Sequence, residues 1–107
     1  MMLEHYRNGR ITLEKIAEKM SHAPAVCFCI PDRGFIREGY FADLVMVNLQ
    51  GATDVTGDNL YFKCGWSPFE GHRFPAEISR TFVSGHLVYG NGVFDESIKG
   101  KRLQFDR

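Results

Sequence analysis

A few polar or thiol side chains in this 107-residue chain have the types and spacing that chemistry could use. Cys27-Phe28-Cys29 is one. A Cys-x-Cys pair can chelate zinc, but a structural zinc site takes four ligands, and only Cys64 and four scattered histidines remain. Both cysteines lie in the apolar run from Ala25 to Ile30, so they read as buried free thiols. His72-Arg73 could be a general base beside an anion clamp, yet no nucleophile stands at a recognisable spacing, and the two read as solvated or interface residues. Asp43, just before an apolar run, reads as a turn or strand-edge carboxylate bonding backbone amides rather than as a catalytic acid. His22 has no second ligand at a useful distance along the chain and belongs near a helix cap. No catalytic and no metal-ligating residue is assigned.

The stretch that organises the chain is instead Lys63-Cys64-Gly65-Trp66-Ser67-Pro68-Phe69-Glu70-Gly71. It carries the only tryptophan, and its glycines and proline forbid a regular helix or a central strand. An ordered loop holding Trp66 and Phe69 must either bury those rings in the domain's own core or present them to a larger body. On the second reading Lys63, Trp66, Ser67, Pro68, Phe69 and Glu70 form a structural docking loop. With the polar segment Ala52 to Asn59 and Leu60-Tyr61-Phe62, the irregular stretch reaches about twenty residues. That exceeds the ~12 to 15 usual for a connection that is neither functional nor packed on something.

The surrounding elements read as α+β. Met1 to Arg7 resembles the last turns of a helix closed at Asn8-Gly9. Thr12 can cap a second helix with Leu13, Ile16, Ala17 and Met20 on one face. Ser21 to Pro24 should stop that helix and begin a third, with Pro24 in its first turn and the face from Ala25 to Phe28 buried. From Gly34 strands are expected: Phe35-Ile36, then Ala42 to Leu49, nearly continuous in apolar residues and therefore covered on both faces. Ile78–Val83, a Ser84-Gly85 turn, His86–Tyr89, a Gly90-Asn91-Gly92 turn and Val93-Phe94 form two hairpins that should join the Ala42 to Leu49 strand. Leu103 and Phe105 alternate like a last edge strand or an extended anchor.

Thirteen basic and thirteen acidic residues give a formal net charge of zero, and no like-charge run calls for nucleic acid or an anionic membrane. No apolar run approaches the ~18 residues of a membrane span, and Met1 to Asn8 lacks the apolar core of a secretory signal. An odd cysteine count without framework spacing agrees with a cytoplasmic chain.

Lys63 to Gly71 closely resembles a segment near the C-terminus of dihydroorotases of the amidohydrolase superfamily. In the same order His22-Ala23-Pro24-Ala25, Asp32-Arg33-Gly34, Gly39-Tyr40-Phe41-Ala42-Asp43-Leu44-Val45, Thr81-Phe82-Val83-Ser84-Gly85-His86-Leu87-Val88-Tyr89 and Gly100-Lys101-Arg102-Leu103-Gln104-Phe105-Asp106-Arg107 also agree. The Gly39 to Val45 element is shared with hydantoinases and allantoinases, and the tryptophan loop points to dihydroorotase. The resemblance covers the chain from about Thr12 onward and only the tail of the family.

That resemblance implies a TIM barrel flanked by a β-sandwich built from both chain ends. Residues 1–30 would be helices trailing the last barrel strand, and 34–107 the C-terminal part of the sandwich, with 63–71 as its docking loop. It also implies reversible hydrolysis of the cyclic amide of dihydroorotate to carbamoyl aspartate, in pyrimidine biosynthesis. The zinc of such a parent lies in its barrel, held by a His-x-His pair, a carboxylated lysine, two further histidines and an aspartate. None of these motifs occurs here, so this segment is expected to bind no zinc and to be structural and inactive alone. Its expected partners are the rest of the barrel chain or a sister subunit, with self-association when isolated. Two other readings stand beside it: a stand-alone interaction module derived from the same fold, and the tail of a dihydropyrimidinase-like or allantoinase-like hydrolase.

Overall fold

Thr12 opens the longest helical stretch. In the computed structural model, which describes residues 1–106, its hydroxyl oxygen accepts the Lys15 N–H at 3.1 Å and α2 runs Leu13–Ala17. This is the cap that the sequence predicts. Before it, α1 (Met2–Arg7) ends at Asn8, and Gly9 takes the left-handed conformation at φ 71°. After it the structure departs from expectation. The helix does not stop at Ser21 to Pro24 but passes through a wide π-helical turn, Glu18–His22, into α3 (Ala23–Cys27), with the Ala23 N–H bonded to the Glu18 carbonyl. The extra residue in that turn gives room to Pro24, which has no N–H to donate and a ring that crowds the preceding turn.

A second correction concerns burial. Ala25 is buried, but Val26, Cys27, Phe28 and Cys29 are exposed, so the two thiols are not core residues. The rule that apolar runs go inside holds only when a second layer exists to cover them. Val26 to Cys29, at the end of α3 and just past it, keep that side toward solvent.

The link from helices to sheet is held by rings rather than by the strand expected at Phe35-Ile36. Phe35 stacks on His22 at 4.4 Å between centroids and meets Tyr40 edge-on, while the Arg37 guanidinium lies 4.2 Å over Phe35. Gly34 makes the turn possible. Its φ is 82°, and a Cβ there would come within 2.4 Å of Ala25 Cβ and 2.8 Å of the Ser21 carbonyl oxygen.

The main sheet is antiparallel, in the order β1 (Leu44–Asn48), β4 (Glu77–Val83), β5 (His86–Gly90), β6 (Val93–Phe94). Both hairpin turns are built as predicted from paired left-handed residues: Ser84 and Gly85 at φ 50° and 83°, Asn91 and Gly92 at 49° and 85°. Strand β1 joins through β4, as expected, but it is an edge strand with Val45, Met46 and Val47 exposed, not a strand covered on both faces. A two-stranded ladder of β2 (Thr53–Asp54) and β3 (Arg73–Phe74) brackets the tryptophan loop. The segment between them is thus less irregular than its composition suggests, with a single 3-10 turn at Gly57–Asn59 boxed by Thr56 and Asn59. Leu103 to Phe105 make no strand, and the Asp106 N–H bonds the Cys29 carbonyl at 2.8 Å.

The accessible surface is 8350 Å², whereas a compact monomer of 12.2 kDa exposes about 6,100 Å². The radius of gyration is 15.4 Å, against about 13 Å for a closed domain of this length. Among the described residues only Ala25 and Ala76 are buried apolar residues. The backbone is ordered by hydrogen bonds and turns, while a surplus of roughly 2,200 Å² stays in water.

Candidate functional site

The tryptophan loop is fixed at its base and open at its tip. The Gly71 N–H bonds the Val55 carbonyl at 2.8 Å, and the Val55 N–H bonds the His72 carbonyl at 3.0 Å, so the loop closes on β2. Within it the Gly65 N–H reaches the Phe62 carbonyl, Gly65 sits at φ 71°, and the Phe69 N–H is accepted by the Ser67 hydroxyl at 3.1 Å. Phe69 and His72 both lie edge-on to Phe74, at 5.5 and 4.5 Å. Trp66 is 61 % exposed, and Tyr61, Phe62, Lys63, Pro68, Phe69 and Glu70 are exposed around it. Trp66 is thus not part of the chain's own core.

Beside the loop opens a depression of about 660 Å³ between the two ladders, lined among others by Val55, Leu60, Tyr61, Phe74, Ile78 and Phe94. Asp54, Asn59, Glu77 and Thr81 add polar groups to these apolar and aromatic walls, and Tyr61 meets Phe94 edge-on at 5.0 Å.

Asp43 carries more than the local turn expected of it. Its Oδ1 accepts the Ser84 N–H at 2.8 Å, and its Oδ2 pairs with the Arg33 guanidinium, which in turn lies 4.1 Å over the Phe41 ring. Arg33 is only 12 % exposed at the side chain. One carboxylate therefore ties the helix-to-sheet link, the start of β1 and the first hairpin turn together. Sequence reasoning found the backbone-bonding role and missed the reach of it. The signal was present in Asp32-Arg33-Gly34 and Gly39 to Val45 as two segments of the same resemblance.

The histidines do not converge. His72 Nε2 lies 2.9 Å from Glu4 Oε1 on α1, His22 stacks on Phe35, and His86 Nε2 stands 3.1 Å from Asp95 Oδ2. Arg73 pairs with Asp54 on the neighbouring strand at 2.9 Å, so His72-Arg73 is a bracing pair rather than a base with a free anion clamp. Among the described residues no three of His, Cys, Asp and Glu come together in a ligand set. The zinc implied by the resemblance does not fit these side chains. Two carboxylates are shifted. Asp95 is held below its ordinary range first by the Ser97 hydroxyl and N–H and then by His86, and Glu18 is held below its own by Lys15. No described helix is long and apolar enough to cross a membrane.

Comparison with known proteins places these segments in context. The chain is 33% identical over 103 residues to the dihydroorotase of Pyrococcus furiosus, covering 96% of this chain and 25% of that protein. It is 35% identical over 89 residues to the dihydroorotase of a Wolbachia of Drosophila simulans, and 32% identical over 104 residues to the allantoinase of Desulfitobacterium hafniense. The coverage is 83% and 96% of this chain, against 20% and 23% of those proteins. In structure it matches L-hydantoinase (dihydropyrimidinase) from Arthrobacter aurescens with a TM-score of 0.80 at 30% identity, over 87% of this chain and 21% of that one. No protein-family model matches. The sequence resembles dihydroorotases over nearly its whole length, as its motifs imply, and its helices and small antiparallel sheet match part of a hydantoinase. The chain spans about a quarter of the length of the curated relatives it matches.

Proposed function

We propose that this chain is the C-terminal segment of a cyclic amidohydrolase of the dihydroorotase type, a structural element without a catalytic site of its own. The whole protein would reversibly hydrolyse dihydroorotate to carbamoyl aspartate in the cytoplasm. Zinc would supply its chemistry from residues outside this segment.

The observation that carries the reading is the set of rings left in solvent along the tryptophan loop and just before it, Tyr61, Phe62, Trp66 and Phe69. In a closed domain those rings would sit in a core. Here they stand on a loop whose base is already fixed by the Val55 bonds, so docking them costs little further ordering. Residues 34–107 would supply the sandwich strands, Lys63, Trp66, Ser67, Pro68, Phe69 and Glu70 the contact to the barrel or a sister subunit, and residues 1–30 the helices that follow the barrel. The exposed outer side of α3, Val26 and Phe28, suits the same role.

The allantoinase and hydantoinase relatives favour a second substrate reading, a neighbouring cyclic amide. One assay separates the two. The native polypeptide carrying this sequence, purified from its source cells, is offered dihydroorotate, a hydantoin and allantoin. Turnover of dihydroorotate above the others is expected; preference for allantoin or a hydantoin moves the assignment to that substrate, and turnover of none overturns the hydrolase reading.

A further inference from the structure

The two ends of the main sheet are finished differently. Strand β6 has two residues and runs straight into Asp95 and Glu96, so its edge is short and charged. Strand β1 is five residues long, Leu-Val-Met-Val-Asn, with no charge, no proline and no extra residue of its own. The irregularity opposite Met46 and Val47 belongs to β4, where Ser79 is skipped in the register and its hydroxyl bonds the Met46 carbonyl at 3.1 Å. Natural edges are normally blunted by the devices β1 lacks.

The direction of its backbone groups follows from two bonds. The Ala42 carbonyl accepts the Gly85 N–H and the Met46 carbonyl accepts the Ser79 hydroxyl, so Ala42, Leu44 and Met46 turn their polar groups toward β4. By alternation Val45 and Val47 turn theirs outward. Among the described residues neither valine makes a backbone hydrogen bond outside the ladder.

We propose that this edge pairs antiparallel with β1 of a second copy of the chain. A twofold axis through Met46 sets Val45 of one copy opposite Val47 of the other. Both pairs then exchange N–H to carbonyl bonds, and the Met46 side chains meet at the axis. The strand is self-complementary because it carries no charge to oppose its own image. Val45 is 57 % and Met46 47 % exposed, and Ile36, 88 % exposed, lines the same depression as Leu44 and Val45. A standard interface removes about 800 Å² per partner, well within the surplus surface. This inference concerns the 107-residue chain in solution and does not rest on the hydrolase reading.

The test is the mass in solution, by light scattering on a sizing column at about 100 µM, of the chain and of Met46→Lys and Met46→Glu. The wild type should run at twice 12.2 kDa. Each variant should run as a monomer, because like charges then face each other at the axis, and an equimolar mixture of the two should restore the dimer. A monomeric wild type, or a Met46→Lys dimer, overturns the proposal. Should either variant fail to fold, amide exchange on the wild type decides: Val45 and Val47 amides protected more at high than at low concentration support the pairing, and amides unprotected at both refute it.

Discussion

The brace around Asp43 and the loop around Trp66 show two ways in which one chain uses the same kind of turn-rich segment. The Asp43 carboxylate finds its partners inside the chain: the Ser84 N–H, Arg33 and, through Arg33, the Phe41 ring. Around Trp66 the backbone is equally settled, but the side chains point away from it. A loop can thus be held by local hydrogen bonds while its apolar side chains stay in solvent. The difference lies in where the side chains go, onto partners within the chain for the brace and into water for the loop.

The largest loss is expected at Gly34, where the link to the brace packs against Ala25 and the Ser21 carbonyl. Gly34→Ala should cost about 3 kcal/mol in urea denaturation, since its Cβ would overlap Ala25 and the Ser21 carbonyl at a positive φ. Gly9, also at positive φ but in open space, should lose about 1 kcal/mol on the same change. Asp43→Ala comes next, at about 2 kcal/mol in the same measurement, because it leaves the half-closed Arg33 guanidinium and the Ser84 N–H without their acceptor. Recovery of that stability in Asp43→Ala with Arg33→Met would sharpen the claim that the two act as a unit.

Trp66→Ala should move the isolated chain by less than about 1 kcal/mol, as the ring is mostly in water. The same change in the native polypeptide should lower its melting temperature, since there the ring would be covered. A large loss in the isolated chain would erase the contrast between brace and loop.

The smallest effect concerns pH. Asp95 is held below its ordinary value of 3.8 by Ser97 and then His86, so the folded state binds that proton less readily than the unfolded one. Its contribution is complete above that value and is lost as pH falls through the lowered one. A carbon-detected titration of the Asp95 carboxyl should show the depressed midpoint, and Ser97→Ala should raise it.

Much of the meander was legible in the sequence because its signals are local. Ser84-Gly85 and Asn91-Gly92 dictate their turns, and Thr12 dictates a cap, whatever lies around them. What the sequence misplaced was burial. Cys27, Cys29 and the Ala42 to Leu49 run were assigned to an interior on apolar pattern alone, and pattern says that a face needs covering without saying that this chain covers it. The π-helical turn before Pro24 and the stacked rings in place of a Phe35-Ile36 strand were missed for a related reason. Both depend on which neighbour a side chain meets, His22 for Phe35 and Glu18 for the Ala23 N–H. The Asp43 brace joins residues 41 apart in the chain, a distance at which no spacing rule speaks.

If the exposed apolar side chains of this chain belong against the rest of a hydrolase, the polypeptide that carries this sequence in its source cells is longer, and its intact mass decides the matter. A mass well above 12.2 kDa is expected, by at least the ~250 residues of a barrel. A mass equal to 12.2 kDa would contradict it.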